Sequence, residues 1–200
     1  MIENPSKWRV FKENALFRGD FQRSQYNACV GDNGGPYDLF DYAHGYFEST
    51  RLLLQSVGKA HGVVVAILVY PICLNFRHAV ELFIKYLISD LAKLVCSHSR
   101  FESTHSLQKN WDTAKTLIEK SELDVDPDEV ALLAQVISDI MDVDPNGNIF
   151  RYPESIKGDQ HLKDWALINL AVIGEVFVLL FAIAKEWHYE IDARIEEPFM

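Results

Sequence analysis

A chain of 200 residues, 48% hydrophobic and 24% charged, fits a soluble globular domain with at most a decorated terminus. A formal net charge of -10 excludes a broad electrostatic grip on nucleic acid, which rests on clustered Lys and Arg, but leaves room for a local basic site. Three cysteines, Cys29, Cys73 and Cys96, are widely spaced with no CxxC pair, which argues against a disulfide framework or a zinc site and for a reducing cytoplasm.

The start, "MIENPSKWRVFKEN", lacks the apolar core of a signal peptide. Residues 1–35 read as an N-terminal extension packed on or flanking a helical domain that occupies 36–200. "GDNGGP" (31–36) marks a turn. From Tyr37 to about Val57 the spacing of Leu39, Phe40, Ala43, Tyr46, Phe47, Leu52 and Leu53 predicts a helix, which "GKAHG" (58–62) interrupts. "VVVAILVY" (63–70) is β-branched and strand-like, yet no second run exists for it to pair with, so a helix or buried connector is expected. Pro71 suits the first turn of a helix that carries "FRHAVELFIKYL" (76–87) and runs to about Cys96.

"SHSRFESTHS" (97–106) reads as a loop, followed by a helix from about Ser106 to Lys120. Asp126-Pro127-Asp128-Glu129 is a helix start: a capping Asp, Pro in the first turn, and acids at the positive end of the dipole. That helix is predicted to reach Met141. "DVDPNGNIFRYPESIKGDQ" (142–160) is a long loop dense in turn formers, and a final helix is expected from near His161 into the charged tail. Trp165–Trp187 is long enough to cross a bilayer, but Glu175 at its middle would cost at least about 2.5 kcal/mol there. A helix buried in a bundle explains the same composition at lower cost, so no membrane partner is expected. The fold class predicted is all-α, a bundle of about five helices.

On the "FRHAVELFIKYL" helix, Arg77, His78, Glu81 and Lys85 fall within about 100° of one another, opposite Phe76, Val80, Phe83 and Leu87. The plain explanation is a solvated face steadied by Arg77–Glu81 and Glu81–Lys85 pairs, each worth about 0.2–0.5 kcal/mol. Two further polar groups stand out: Arg100 with His105, and Arg151 with Tyr152 and Pro153 in the long loop. Their ordinary roles are a solvated loop residue for Arg100 and a helix entry for His105. Arg151 could anchor its loop on an acid, with Glu81 the first candidate, and Tyr152-Pro153 could pack as an apolar plug. There is no glycine-rich phosphate loop, nucleophile elbow or HExxH, and no metal or cofactor is expected.

"FRHAVELFIKYLI", "THSLQKNWDTAKTLI" and "DPNGNIFRYPES", in this order, resemble the HEPN superfamily (higher eukaryote and prokaryote nucleotide-binding) over roughly residues 66–185. The resemblance implies an α-helical bundle, a homodimer, and association with RNA or a nucleotide, in the defence or toxin–antitoxin setting that brings an antitoxin-like protein partner. Active relatives are metal-independent ribonucleases that use an Arg and a His a few residues apart. In such chemistry the His moves protons and the Arg stabilises charge on the phosphate. Arg100 and His105 have that spacing, although between the second and third helices rather than in a late one. Arg77 and His78 match by their place on the motif helix. The catalytic candidates are therefore His78, His105, Arg77 and Arg100, and the binding candidates Glu81, Lys85, Arg151 and Tyr152. The alternative is a non-catalytic dimeric interaction module in which the polar cluster fixes the Phe-Arg-Tyr-Pro loop.

Overall fold

The computed structural model describes residues 12–31, 37–102 and 106–196. The chain divides into two compact units, Met1–Pro36 and Tyr37–Met200. In the first, a short 3-10 turn at Ser24–Tyr26 sits between local ties: Arg23 pairs with Asp20 at 2.7 Å, and Asn27 Oδ1 accepts the Asp20 N–H at 3.0 Å.

The second unit is an all-α bundle of five helices: α1 Leu39–Val57, α2 Val63–Leu94, α3 Leu107–Ser121, α4 Pro127–Val143 and α5 Leu170–Glu196. Asp38 opens α1 with a capping box, accepting from Phe40 and Asp41 while Asp41 accepts the Asp38 N–H in return. Two of the orphan donors at the helix start are thereby satisfied. Contacts of Phe40 with Tyr86, Tyr46 with His78 and Ser49 with Asn75 pair residues that rise along α1 with residues that fall along α2, so the two helices form an antiparallel hairpin.

The α2 helix starts at Val63, eight residues before the start that the sequence suggested, and carries Pro71 in its interior. An interior proline loses one backbone bond and costs on the order of 3 kcal/mol. The helix is nevertheless continuous through it: "VVVAILVY", having no strand to pair with, continues as helix and extends the hairpin. At 32 residues, with a mean hydropathy of 1.8 over its most apolar window, α2 is long and apolar enough to cross a bilayer by length and composition. Only 33% of that window is buried. It is thus α2, not the last helix, that most resembles a span among the described residues.

The α4 start follows the sequence reading, with Asp126 accepting from the Asp128 N–H at 2.9 Å and Pro127 in the first turn. In contrast, α5 begins at Leu170, not near His161. Asn169 Oδ1 accepts the Ala171 N–H at 2.8 Å, as a helix-starting side chain does, and residues 165–169 before it have no regular secondary structure. The core is built where α2 meets α1, α3 and α5. Phe47, Phe83, Leu87, Trp111, Leu180 and Trp187 are all at most 2% exposed, and each stabilises by roughly 1.5–3 kcal/mol through burial. Trp187 places its indole N–H on Glu129 at 2.8 Å, tying α5 to the first turn of α4.

Candidate functional site

Arg77, Glu81 and Lys85 follow at spacing four on α2, so their side chains lie one above the other. Arg77 Nη1 donates to Glu81 Oε2 at 2.9 Å, and Lys85 Nζ donates to Glu81 Oε1 at 2.8 Å. From the same guanidinium, Nε donates to the Asp144 carbonyl at 3.1 Å and lies 3.4 Å from Asp144 Oδ2. Asp144 closes α4 and turns its other carboxylate oxygen to the N–H groups of Asn148 and Ile149, at 2.8 and 3.0 Å. Gly147 lies over the guanidinium: a Cβ at this position would stand 2.9 Å from Arg77 Nη1, and φ of +74° already favours glycine.

This arrangement corrects the solvated-face expectation. Arg77 is 3% exposed, Glu81 2% and Asp144 0%. A helical wheel assigns the polar side of α2 to water, but the segment after α4 folds back and covers it. Burial works against the charged form of Glu81, yet the hydrogen bonds and charges of Lys85 and Arg77 outweigh it and hold the carboxyl below its ordinary value. The cluster contains two cations and two carboxylates, so its formal charge cancels. A guanidinium with its nitrogens engaged and one face covered is a clasp, and it would have to leave these partners to meet a phosphate.

His78, one position on, turns away from this cluster. Its ring meets Tyr46 of α1 edge-on, with centroids 4.4 Å apart. The half-buried imidazole is held below its ordinary value mainly by desolvation. The Glu81 charge opposes this, and Lys85, Arg151 and Arg77 reinforce it. Neutral imidazole therefore prevails at neutral pH, a form that can accept a proton or a hydrogen bond.

Arg151 does not anchor its loop on Glu81. It is exposed and pairs with no carboxylate among the described residues, while Lys85 and Arg77 occupy the Glu81 oxygens. The Asp144–Arg77 contact and the Gly147 approach take over the anchoring role. Tyr152 is 56% exposed, so it is no apolar plug. Its carbonyl meets His161 Nδ1 at 2.8 Å, and His161 N donates to the Pro153 carbonyl at 3.0 Å, which closes the loop on itself. Arg100 is exposed beside Phe101, and His105 lies outside the described residues.

The structure thus gathers Arg77, His78, Glu81 and Lys85 on α2, brings the charge of Arg151 within reach of His78, and leaves Arg100 and Tyr152 apart. Asp144 and Gly147 went unnoticed in the sequence. The Asp-Pro-Asn-Gly run at the end of a helix was the available signal, since Gly there can take positive φ where a side chain could not. A second polar contact, partly buried, joins His188 Nδ1 and the Tyr86 hydroxyl at 2.9 Å, with the His188 ring stacked on Phe40 at 3.6 Å. Burial and nearby carboxylates push the Tyr86 hydroxyl well up, so it stays protonated. Compared with protein-family models, with curated proteins and with solved structures, the chain matches none.

Proposed function

We propose that this chain is a HEPN-like helical interaction module, working as a homodimer in the cytoplasm, and that the polar cluster of α2 is a structural clasp rather than a ribonuclease centre. The observation that carries this reading is the Arg77 guanidinium, buried and bound to Glu81 and Asp144 with Gly147 across its face. Dimerisation is supported by the end of the α1–α2 hairpin, where Val63, Val64, Ile67, Tyr70 and Leu52 are each at least 46% exposed. Apolar side chains clustered at one end of a soluble bundle mark an interaction surface.

A second reading, a metal-independent ribonuclease or nucleotide-binding domain, is favoured by one feature: a largely neutral His78 close to the charges of Lys85 and Arg151 in an otherwise acidic protein. The two readings separate in one assay, cleavage of a labelled single-stranded RNA in EDTA by wild type, His78→Ala and His105→Ala. The module reading expects no cleavage above a buffer control. Cleavage by wild type that falls about a hundredfold or more in either folded variant would establish the ribonuclease instead.

A further inference from the structure

A groove of about 430 Å³ opens between α2, α4 and α5, with Arg77 among the residues that line it. Cys73 and Phe76 of α2, Val136 and Ile140 of α4, and Ile173 and Val176 of α5 supply its walls. Its lips differ in character. On the α4 side stand Asp139 and Asp142, both exposed, and neither makes an ion pair among the described residues. Asp139 accepts only the neutral Gln135 amide, at 2.8 Å. On the other side the segment 165–169 and the start of α5 present Trp165, Leu167 and Val172, which are 46%, 91% and 58% exposed. The one cation among the described lining residues, Arg77, is committed to Glu81 and Asp144.

The apolar surface does not stop at the groove. Val172 and Leu179 stand seven residues apart on α5, hence on the same face, and Leu179 is 56% exposed. A compact ligand would leave that strip uncovered. An elongated one covers it, and the acidic lip selects its charge. We propose that this groove takes an amphipathic helix of a partner protein, its apolar residues seated between α4 and α5 and its basic residues facing Asp139 and Asp142. A helix lying in a groove presents side chains at i, i+3, i+4 and i+7. Two unneutralised acids on one lip, with no opposing cation at the mouth, favour lysine or arginine at its flanks and disfavour a glutamate-flanked helix of the same shape. This groove and its partner are independent of the dimer reading, which rests on the hairpin end.

The test uses two synthetic peptides of about 16 residues with the same leucine positions, one flanked by lysine and one by glutamate, followed by fluorescence anisotropy against the full chain. The lysine peptide is expected to bind at least tenfold more tightly than the glutamate peptide at about 150 mM salt, where surface charges beyond about 8 Å are screened. Leu167→Glu and Val172→Glu, both at exposed positions, should weaken it at least tenfold with helix content unchanged by circular dichroism. Asp139→Lys with Asp142→Lys should reverse the preference between peptides. Reversing two exposed acids of α3, Asp112→Lys with Glu119→Lys, should leave it unchanged. The proposal is overturned if neither peptide binds, if both bind alike, or if the α3 reversal weakens binding as much as the α4 reversal. It is equally overturned if Leu167→Glu dissolves a wild-type dimer, because a second copy would then occupy the groove.

Discussion

Arg77→Ala is the perturbation that most directly tests the clasp. The substitution leaves the carboxylate of Asp144, at 0% exposure, without its neighbouring positive charge, and removes the Arg77 donor to Glu81, at 2%, while Lys85 remains. It also takes away the group over which Gly147 packs. Breaking a buried pair by removing one partner costs about 3–5 kcal/mol, because the remaining charge keeps its desolvation penalty. For a domain of this size each kcal/mol moves the melting temperature by about 2–4 °C, so a drop on the order of 10 °C is expected. Urea denaturation should show the midpoint falling with the slope unchanged. The internal control is Arg51→Ala: Arg51 pairs with Glu48 at 2.7 Å, but both side chains are more than a third exposed, and loss of such a pair costs at most about 1 kcal/mol. Arg77→Lys should fall between wild type and Arg77→Ala, since an ammonium keeps the charge but not the planar fork that reaches Glu81 and Asp144 together. If Arg77→Ala costs no more than Arg51→Ala, the clasp reasoning is wrong.

Gly147→Ala should destabilise by about 2 kcal/mol or more, from positive φ and the close guanidinium, and by less in an Arg77→Ala background; equal costs in both backgrounds, read from urea midpoints, would remove the proposed contact. For Glu81 the folded carboxyl lies below its ordinary value of 4.5, so its contribution is complete above that pH and is lost as pH falls through the folded value. Acid titration of stability should therefore slope less below about pH 4.5 in Glu81→Gln than in wild type, and parallel curves would refute the assignment. Static light scattering at micromolar concentration, on protein recovered without detergent, should give twice the monomer mass, and Ile67→Lys should give the monomer; a monomeric wild type, or recovery from membranes alone, refutes the homodimer as proposed.

The elements that the sequence disclosed are those that local chemistry decides. The α4 start depends on one Asp, one Pro and two acids, and each acts within its own turn. The fold class followed similarly from helical spacing without any partner run for a strand. Errors arose where tertiary packing outvoted a local rule. Pro71 signals a start by its own chemistry, but the apolar run before it, with no strand to pair with, continues as helix and sets the proline in the helix interior. "WALIN" is as apolar as the helix that follows, yet Asn169 starts the helix only at Leu170, leaving Trp165 and Leu167 on the groove lip.

The candidate site was half legible for a related reason. Adjacent helix positions diverge by about 100°, so Arg77 and His78 were bound to do different work. What the wheel cannot provide is the identity of whatever covers a face. Arg77 is met by Asp144 and Gly147, some seventy residues away in sequence, whereas His78 is met by Tyr46 across the hairpin. A charge moved inside in this way has a consequence outside. Arg77 and Lys85 are matched by Glu81 and Asp144, so these two cations offset nothing on the surface. The net charge of -10 is therefore carried by the remaining, mostly exposed residues. Because the two cations and two carboxylates of the cluster cancel, the rest of the chain carries the whole of that acidity. That is the physical ground for expecting basic partners and for doubting a polyanionic one.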